Sequence, residues 1–258
     1  MKSFTGLLKK ELIVSKNWLI TWLCVLTLLL FSSLIFIIKY GGVHSRSLFY
    51  FILFVIVSMH VFFIPIVMYS FLHLEGKTML WLYNPNSSHK LLLAKLLMAT
   101  IHLIISMILI GIFAGLGVLF FDLPDFEITV SPSIIIFWII YFYLSSVTLA
   151  VIITFLWTVY HSLSKFPGLK KLRWLAVLLV FIALNLIDYF LFERTQLIEN
   201  NFFNFAFEID GEFYFEIEGD KVDLGSIPVH VGTELYYLIK TVLLYIISCL
   251  LLDKKVEV

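Results

Sequence analysis

Six stretches of this chain are long and apolar enough to cross a lipid bilayer, and nothing else in the sequence limits the fold as much. The hydrocarbon core is about 30 Å thick and a helix rises about 1.5 Å per residue, so one crossing takes about 20 apolar residues. The stretches fall at 18–38, 48–74, 92–121, 134–160, 174–192 and 234–252. Backbone polar groups find no water in lipid, so each stretch is predicted to be a helix. The second, third and fourth exceed the minimum and are expected to tilt or to extend beyond the bilayer. A hydrophobic content of 61% and a mean hydropathy of +1.02 exclude a soluble domain, for which about 45–50% apolar residues is usual. The sequence therefore predicts an all-α polytopic membrane protein, one transmembrane domain over 1–258, with a small β-hairpin between the fifth and sixth spans.

The first span follows Lys2, Lys9, Lys10 and Lys16, but its apolar run is longer than that of a signal peptide and no small-residue cleavage site follows, so it is read as retained. Residues 1–17 place Phe4, Leu7, Leu8, Leu12 and Ile13 at helical spacing with lysines between them, the pattern of an amphipathic helix lying in the interface. When successive loops are assigned to alternate sides, thirteen Lys/Arg fall on the side of the termini and four on the other: Lys39, Arg46, Arg194 and Lys221. Positive charge accumulates on the cytoplasmic side, so both termini are expected in the cytoplasm. Asp122, Asp125, Glu127 and nine further acids between Glu193 and Asp223 then lie outside. Cys24 and Cys249 both sit in apolar runs and read as inert thiols rather than a disulfide framework.

Residues 193–233 form the one sizeable polar segment. Phe203, Phe205, Phe207 and Ile209 share one face of an alternating run, and Phe213, Phe215 and Ile217 share one face beyond Asp210-Gly211. Alternation around Asp-Gly predicts a β-hairpin, here an extracellular acidic cap whose phenylalanine face covers the helices, the bilayer surface or a partner.

Motifs of independent chemistry are missing. The sequence has no GxxxxGK[ST], no HExxH and no GxSxG, and its seven histidines show no metal-ligand spacing. No cofactor, metal or nucleic-acid site is expected in this chain. An intramembrane enzyme would have to assemble residues such as His60, His102 and Asp188 from different helices. A secondary transporter or sensor would need internal repeats and several buried charges, and no convincing repeat is found. Asp188 and Lys240 lie at nearly matching depths in the antiparallel fifth and sixth spans, so they are expected either to pair, with Asn185 nearby, or to leave Lys240 snorkelling alone. Gly111 and Gly115 form a GxxxG motif that suits close helix packing, within the chain or against another subunit. Pro65 should kink the second span, and is a hinge candidate.

The connector HLEGKTMLWLYNPNSSHKLLLAK joins the second and third spans. It is charged at its ends, and its middle holds Met79, Leu80, Trp81, Leu82 and Tyr83, which suits a short helix on the membrane surface. Asn84-Pro85-Asn86 breaks that helix, and Ser87 or Ser88 caps the next, whose first turns carry His89, Lys90 and Lys95 into the cytoplasm.

With six spans, cytoplasmic termini, an N-terminal amphipathic helix and this connector, the chain resembles the membrane subunit of bacterial ABC exporters of the type-two (ABC-2-like) permease family. Glu75, the 79–83 run, Pro85 and Lys95 match that family's order of acid, apolar stretch, proline and lysine. The sequence departs from it in the acidic hairpin and at Gly76-Lys77-Thr78. The resemblance implies a coupling helix over 75–88 that docks on a separate cytosolic ATPase through Glu75, Lys77, Met79, Trp81, Tyr83, Asn84 and Pro85. It further implies ATP and magnesium in that partner, a second permease subunit, contact with membrane lipid, and a place in the bacterial cell membrane.

Overall fold

The computed structural model describes residues 2–40, 43–78, 86–120, 126–130, 132–165, 171–194, 206–209, 213–217, 220–223 and 227–255. Seven helices are found among them: α1 (Lys2–Tyr40), α2 (Val43–Met59), α3 (Phe63–Thr78), α4 (Ser88–Phe120), α5 (Pro132–Ser162), α6 (Arg173–Tyr189) and α7 (Val231–Lys255). Six helical segments are long and apolar enough to cross a membrane, with α2 and α3 together supplying one of them, Leu48–Lys77. The others are Phe4–Tyr40, Ser88–Gly117, Pro132–Ser162, Arg173–Phe192 and Val231–Lys254.

Two local features follow from residue chemistry. The residue before α3's first full turn is Phe62, which closes a 3₁₀ turn over His60–Phe62 between α2 and α3. Pro65 has no N–H for the carbonyl four residues earlier, and its ring crowds that group. The chain tightens there, and the Phe63 N–H bonds the His60 carbonyl instead. At the start of α4 the Ser87 carbonyl accepts the Lys90 and Leu91 N–H groups at 3.0 and 3.2 Å, so Ser87 occupies the capping position.

Two expectations change. Residues 2–17 are not a separate interfacial helix, because α1 runs unbroken for 39 residues. Only Gly6 interrupts an otherwise helix-compatible sequence, and no proline or glycine separates the amphipathic part from the apolar part. The strand pairing also differs. β2 (Ala206–Ile209) pairs antiparallel with β5 (Ile227–His230), while β3 (Phe213–Ile217) lies between β1 (Phe126–Val130) and β4 (Asp220–Asp223). The two-residue connection Glu218-Gly219 joins the paired strands, where Asp210-Gly211 had been expected to. With β1 on its other side, β3 has no edge left for β2.

The chain, expected as one domain, divides into two compact units. The first comprises Met1–Ile64, Ala94–Ser146 and Asp210–Ser226. Its apolar core joins Leu26, Leu30 and Ile37 of α1, Phe49 and Leu53 of α2, and Ile110 and Phe113 of α4. The second comprises Pro65–Leu93, Val147–Ile209 and Ile227–Val258. Its clusters join Leu72, Leu92, Trp157 and Cys249, and Val151, Phe155 and Leu244. No residue of α6 is buried. Apolar side chains facing outward cost nothing in lipid, whose tails are as apolar as leucine.

Candidate functional site

The first unit carries a polar seam inside its apolar helices. Glu11, Ser15, Trp18 and Trp22 recur at spacings of four, three and four, so they share one face of α1. Lys95, His102 and Ser106 share one face of α4, at spacings of seven and four. Lys95 Nζ donates to Glu11 Oε1 at 2.8 Å, His102 Nε2 lies 3.2 Å from Ser15 Oγ, and Trp22 Nε1 donates to Ser106 Oγ at 2.9 Å. The contacts advance in the same order along both helices, so α1 and α4 run parallel. Lys95 and Glu11 are each only 1% exposed, and Lys10 adds a second ammonium 3.4 Å from the same carboxylate oxygen. Lys95, expected to extend from the first turns of its helix, is buried in an ion pair. An isolated charge in lipid is costly, so a buried lysine requires a partner, and α1 supplies it.

Ser106 forms a junction whose protons can be assigned. The Trp22 indole nitrogen is donor only, so Ser106 Oγ accepts from it. The single hydroxyl proton of Ser106 then goes to His60 Nε2, 2.9 Å away. His60 Nδ1 carries the ring proton and donates to the Ile56 carbonyl at 2.7 Å. All three groups are satisfied with His60 neutral. Aromatic rings close around them: Phe63 stacks on His60 at 5.5 Å and meets Trp18 and Trp22 edge-on, while Trp18 stacks between Trp22 and His102 at 6.1 and 6.4 Å. A serine hydrogen-bonded to a histidine is the start of a nucleophilic site. Here Ser106 is fully buried and its oxygen already accepts an indole proton, so the pair clamps α1, α4 and the 3₁₀ turn together.

The second unit brings Asp188 and Lys240 together. Lys240 Nζ donates to both carboxylate oxygens, at 2.7 and 2.5 Å, and the Tyr236 hydroxyl donates to Oδ1 at 2.6 Å. The Tyr236 and Tyr237 ring centroids each lie 5.9 Å from the ammonium. Asn185 does not join them; its amide donates to the Phe181 carbonyl of its own helix at 2.8 Å. Lys240→Met should cost about 1–2 kcal/mol, less than a fully buried pair because Asp188 keeps 24% exposure. Adding Asp188→Asn should recover at least half of that loss in thermal unfolding in detergent.

Both ends of the connector are held within the second unit. At the α3 end, a Cβ added to Gly76 would lie 2.9 Å from the Trp157 ring, so only glycine permits this approach to α5. At the α4 end, Asp253 of α7 accepts the Ser88 hydroxyl and the Ser88 backbone N–H, and the Tyr245 hydroxyl donates to the His89 carbonyl at 2.9 Å. A carboxylate at a helix N-terminus also complements its dipole. Of the residues assigned to docking, Glu75 is 4% exposed and faces its own protein, whereas Lys77 is exposed. Met79, Trp81, Tyr83, Asn84 and Pro85 lie outside the described residues. Gly111 and Gly115 do not mediate packing here, since a Cβ at either meets nothing within 4 Å among the described residues. Gly117 does, with Phe49 2.5 Å from the position of its Cβ. Pro65 is buried.

Glu11 and Gly117 escaped the sequence reading. Glu11 sits among lysines in an amphipathic segment and reads there as solvated. Its spacing from Ser15, Trp18 and Trp22 is the signal that could have found it. Among the described residues no group of three or more His, Cys, Asp or Glu could hold a metal ion. His60, His102 and Asp188, the residues an intramembrane enzyme would use, each have the bonds given above.

The chain is 29% identical over 274 aligned residues to the uncharacterized protein YhcE of Bacillus subtilis (strain 168), and the alignment covers all of both chains. No family model and no solved structure matches. The architecture is that of a multi-pass membrane protein, with six segments able to cross a bilayer.

Proposed function

We propose that this chain is the membrane-spanning permease subunit of an ATP-driven exporter in the bacterial cell membrane. It works with a separate cytosolic ATPase, which supplies the ATP and magnesium chemistry, and with a second permease subunit. The observation that carries this reading is the anchoring of the connector at both ends: α3 against Trp157 through Gly76, and α4 against α7 through Ser88 and Asp253. A push on residues 79–85 would then reach α3, α4, α5 and α7 together. The thirteen-to-four distribution of Lys/Arg supports a cytosolic connector and cytosolic termini.

In this mechanism the ATPase grips Lys77, Met79, Trp81, Tyr83 and the Asn84-Pro85 turn, while buried Glu75 fixes the end of α3. Closure of the ATPases tilts the helices and turns the translocation path outward, with the 3₁₀ turn ahead of Pro65 as the hinge. The cargo is amphipathic or hydrophobic, a peptide by first preference, given 26 Phe and 12 Tyr in the chain. The acidic segment between α6 and α7 caps the outer side.

Affinity purification from native membranes tests the proposal. An ATPase subunit is expected to co-elute with the unaltered chain. Interface aromatics commonly contribute 2 kcal/mol or more, so Trp81→Ala/Tyr83→Ala should weaken that association by about 30-fold or more. Absence of an ATPase from the native complex, or association unchanged by the double substitution, would exclude this function.

A further inference from the structure

Lys9, Ile13, Lys16 and Ile20 recur on α1 at spacings of four, three and four, the same intervals as Glu11, Ser15, Trp18 and Trp22. Each member of the first column stands two residues ahead of a member of the second, about 200° around a helix of 3.6 residues per turn. The two columns therefore lie on opposite faces of α1. One carries the polar seam against α4, and the other faces away from it. Lys9 and Lys16 are exposed, Ile13 and Ile20 keep 63% and 47% exposure, and Leu12 beside them keeps 50%. A column that alternates ammonium with isoleucine suits neither water nor hydrocarbon alone. It suits the boundary between headgroups and acyl chains, where a lysine stem lies along lipid and its charge reaches outward. The apolar segment Phe4–Tyr40 has 37 residues, about 55 Å of helix. A bilayer with its headgroups is about 40–45 Å thick, so the first turns of α1 run through a headgroup layer.

The charge of this column is not cancelled within its own unit. Glu11, the one acid in α1, is buried on the opposite face and bonded to Lys95. The acids of β1, β3 and β4 belong to the far end of the helices, because α4 runs parallel to α1 and β1 follows it. About 37 Å of helix separates Lys95 from Phe120, and the five residues from there to β1 span about 20 Å at most. By the alternation of loops, four acids share the side of the termini with thirteen Lys/Arg: Glu11, Glu75, Asp253 and Glu257. Glu75 is 4% exposed, and Asp253 is engaged with Ser88. Neither Lys9 nor Lys16 forms an ion pair among the described residues.

We propose that this column binds anionic phospholipid in the leaflet at the N-terminal end of α1. The Lys9 and Lys16 ammoniums, about 10 Å apart along the helix, meet headgroup phosphate oxygens, and Ile13 and Ile20 lie against the upper acyl chains. The lipid thus presses on the outer face of α1 while Glu11 and Ser15 hold the inner face to α4. The site uses none of the ATPase-docking residues and stands or falls separately from the export reading.

The test places a photoreactive amino acid at position 13 of the full chain, in nanodiscs of equal phosphatidylglycerol and phosphatidylcholine, and identifies the crosslinked lipid by mass spectrometry. One lysine near an anionic surface favours it by about fivefold, so phosphatidylglycerol should exceed phosphatidylcholine by at least about that factor. Lys9→Gln/Lys16→Gln should bring the two lipids to parity while crosslinking to lipid continues. Lys9→Arg/Lys16→Arg should keep the enrichment. A probe at position 28, where Leu28 is 71% exposed further along α1, should capture both lipids equally in every variant. Equal capture at position 13 in the unaltered chain, enrichment that survives the glutamine substitutions, or the same enrichment at position 28 overturns the proposal. Capture of a polypeptide in place of lipid at position 13 in native membranes overturns it too.

Discussion

Lys95→Met is expected to destabilise the protein by about 3–5 kcal/mol, the usual cost of removing one partner from a buried ion pair. Glu11 would be left at 1% exposure without the Lys95 ammonium, with the partly exposed Lys10 ammonium 3.4 Å away. The damage comes from the stranded carboxylate more than from any loss of packing, since methionine nearly matches the lysine stem in volume. Glu11→Leu/Lys95→Met should therefore recover most of the loss, because replacing both members of a buried pair by apolar groups is often neutral. Thermal unfolding of the single and double variants in one detergent separates the two effects. Additive losses would mean that the two residues contribute independently and that the pairing of α1 with α4 does not depend on charge.

Gly117→Val should be the next most damaging substitution, costing about 1–3 kcal/mol through overpacking. The added Cβ would stand 2.5 Å from the Phe49 ring, whose residue is 1% exposed and packed in the α1, α2 and α4 core. A ring so enclosed cannot swing away without opening that core. Phe49→Leu in the same chain should return part of the loss by giving space back. Gly111→Val supplies the control. Its Cβ meets nothing within 4 Å among the described residues, so its effect on the melting of the monomer should be small. The two glycines differ by six positions and share a helix, yet only one of them is a packing residue.

Legibility in the sequence tracked the range of the interaction. The six spans were readable because hydropathy is a property of consecutive residues; five of the helical segments match the expected ranges to within four residues, and the first begins fourteen residues earlier, at Phe4. The sequence placed Asp188 and Lys240 at matching depths but left pairing and a lone snorkelling Lys240 both open; the structure shows the pair. The strand partners were not readable, since β3 alternates identically whether it pairs with β2 or with β4, and β1 comes from some 85 residues earlier in the chain. Gly111 was singled out over Gly117 because GxxxG is a pattern, whereas the approach of Phe49 is a fact about another helix.

The sequence by itself determined that this chain has six helical segments able to cross a bilayer, because length and hydropathy are properties of each run alone. It also determined where the second span would tighten, since a missing N–H at Pro65 acts on its own turn. Only the tertiary structure decided that Glu11 and Lys95 are a buried pair, that Ser106 holds Trp22 and His60 with one proton each, and that Asp253 caps α4. Those facts depend on which helix faces which. In a chain where nearly every face is apolar, hydrophobicity cannot choose among them, and the choice falls to a handful of polar groups whose partners lie tens of residues away.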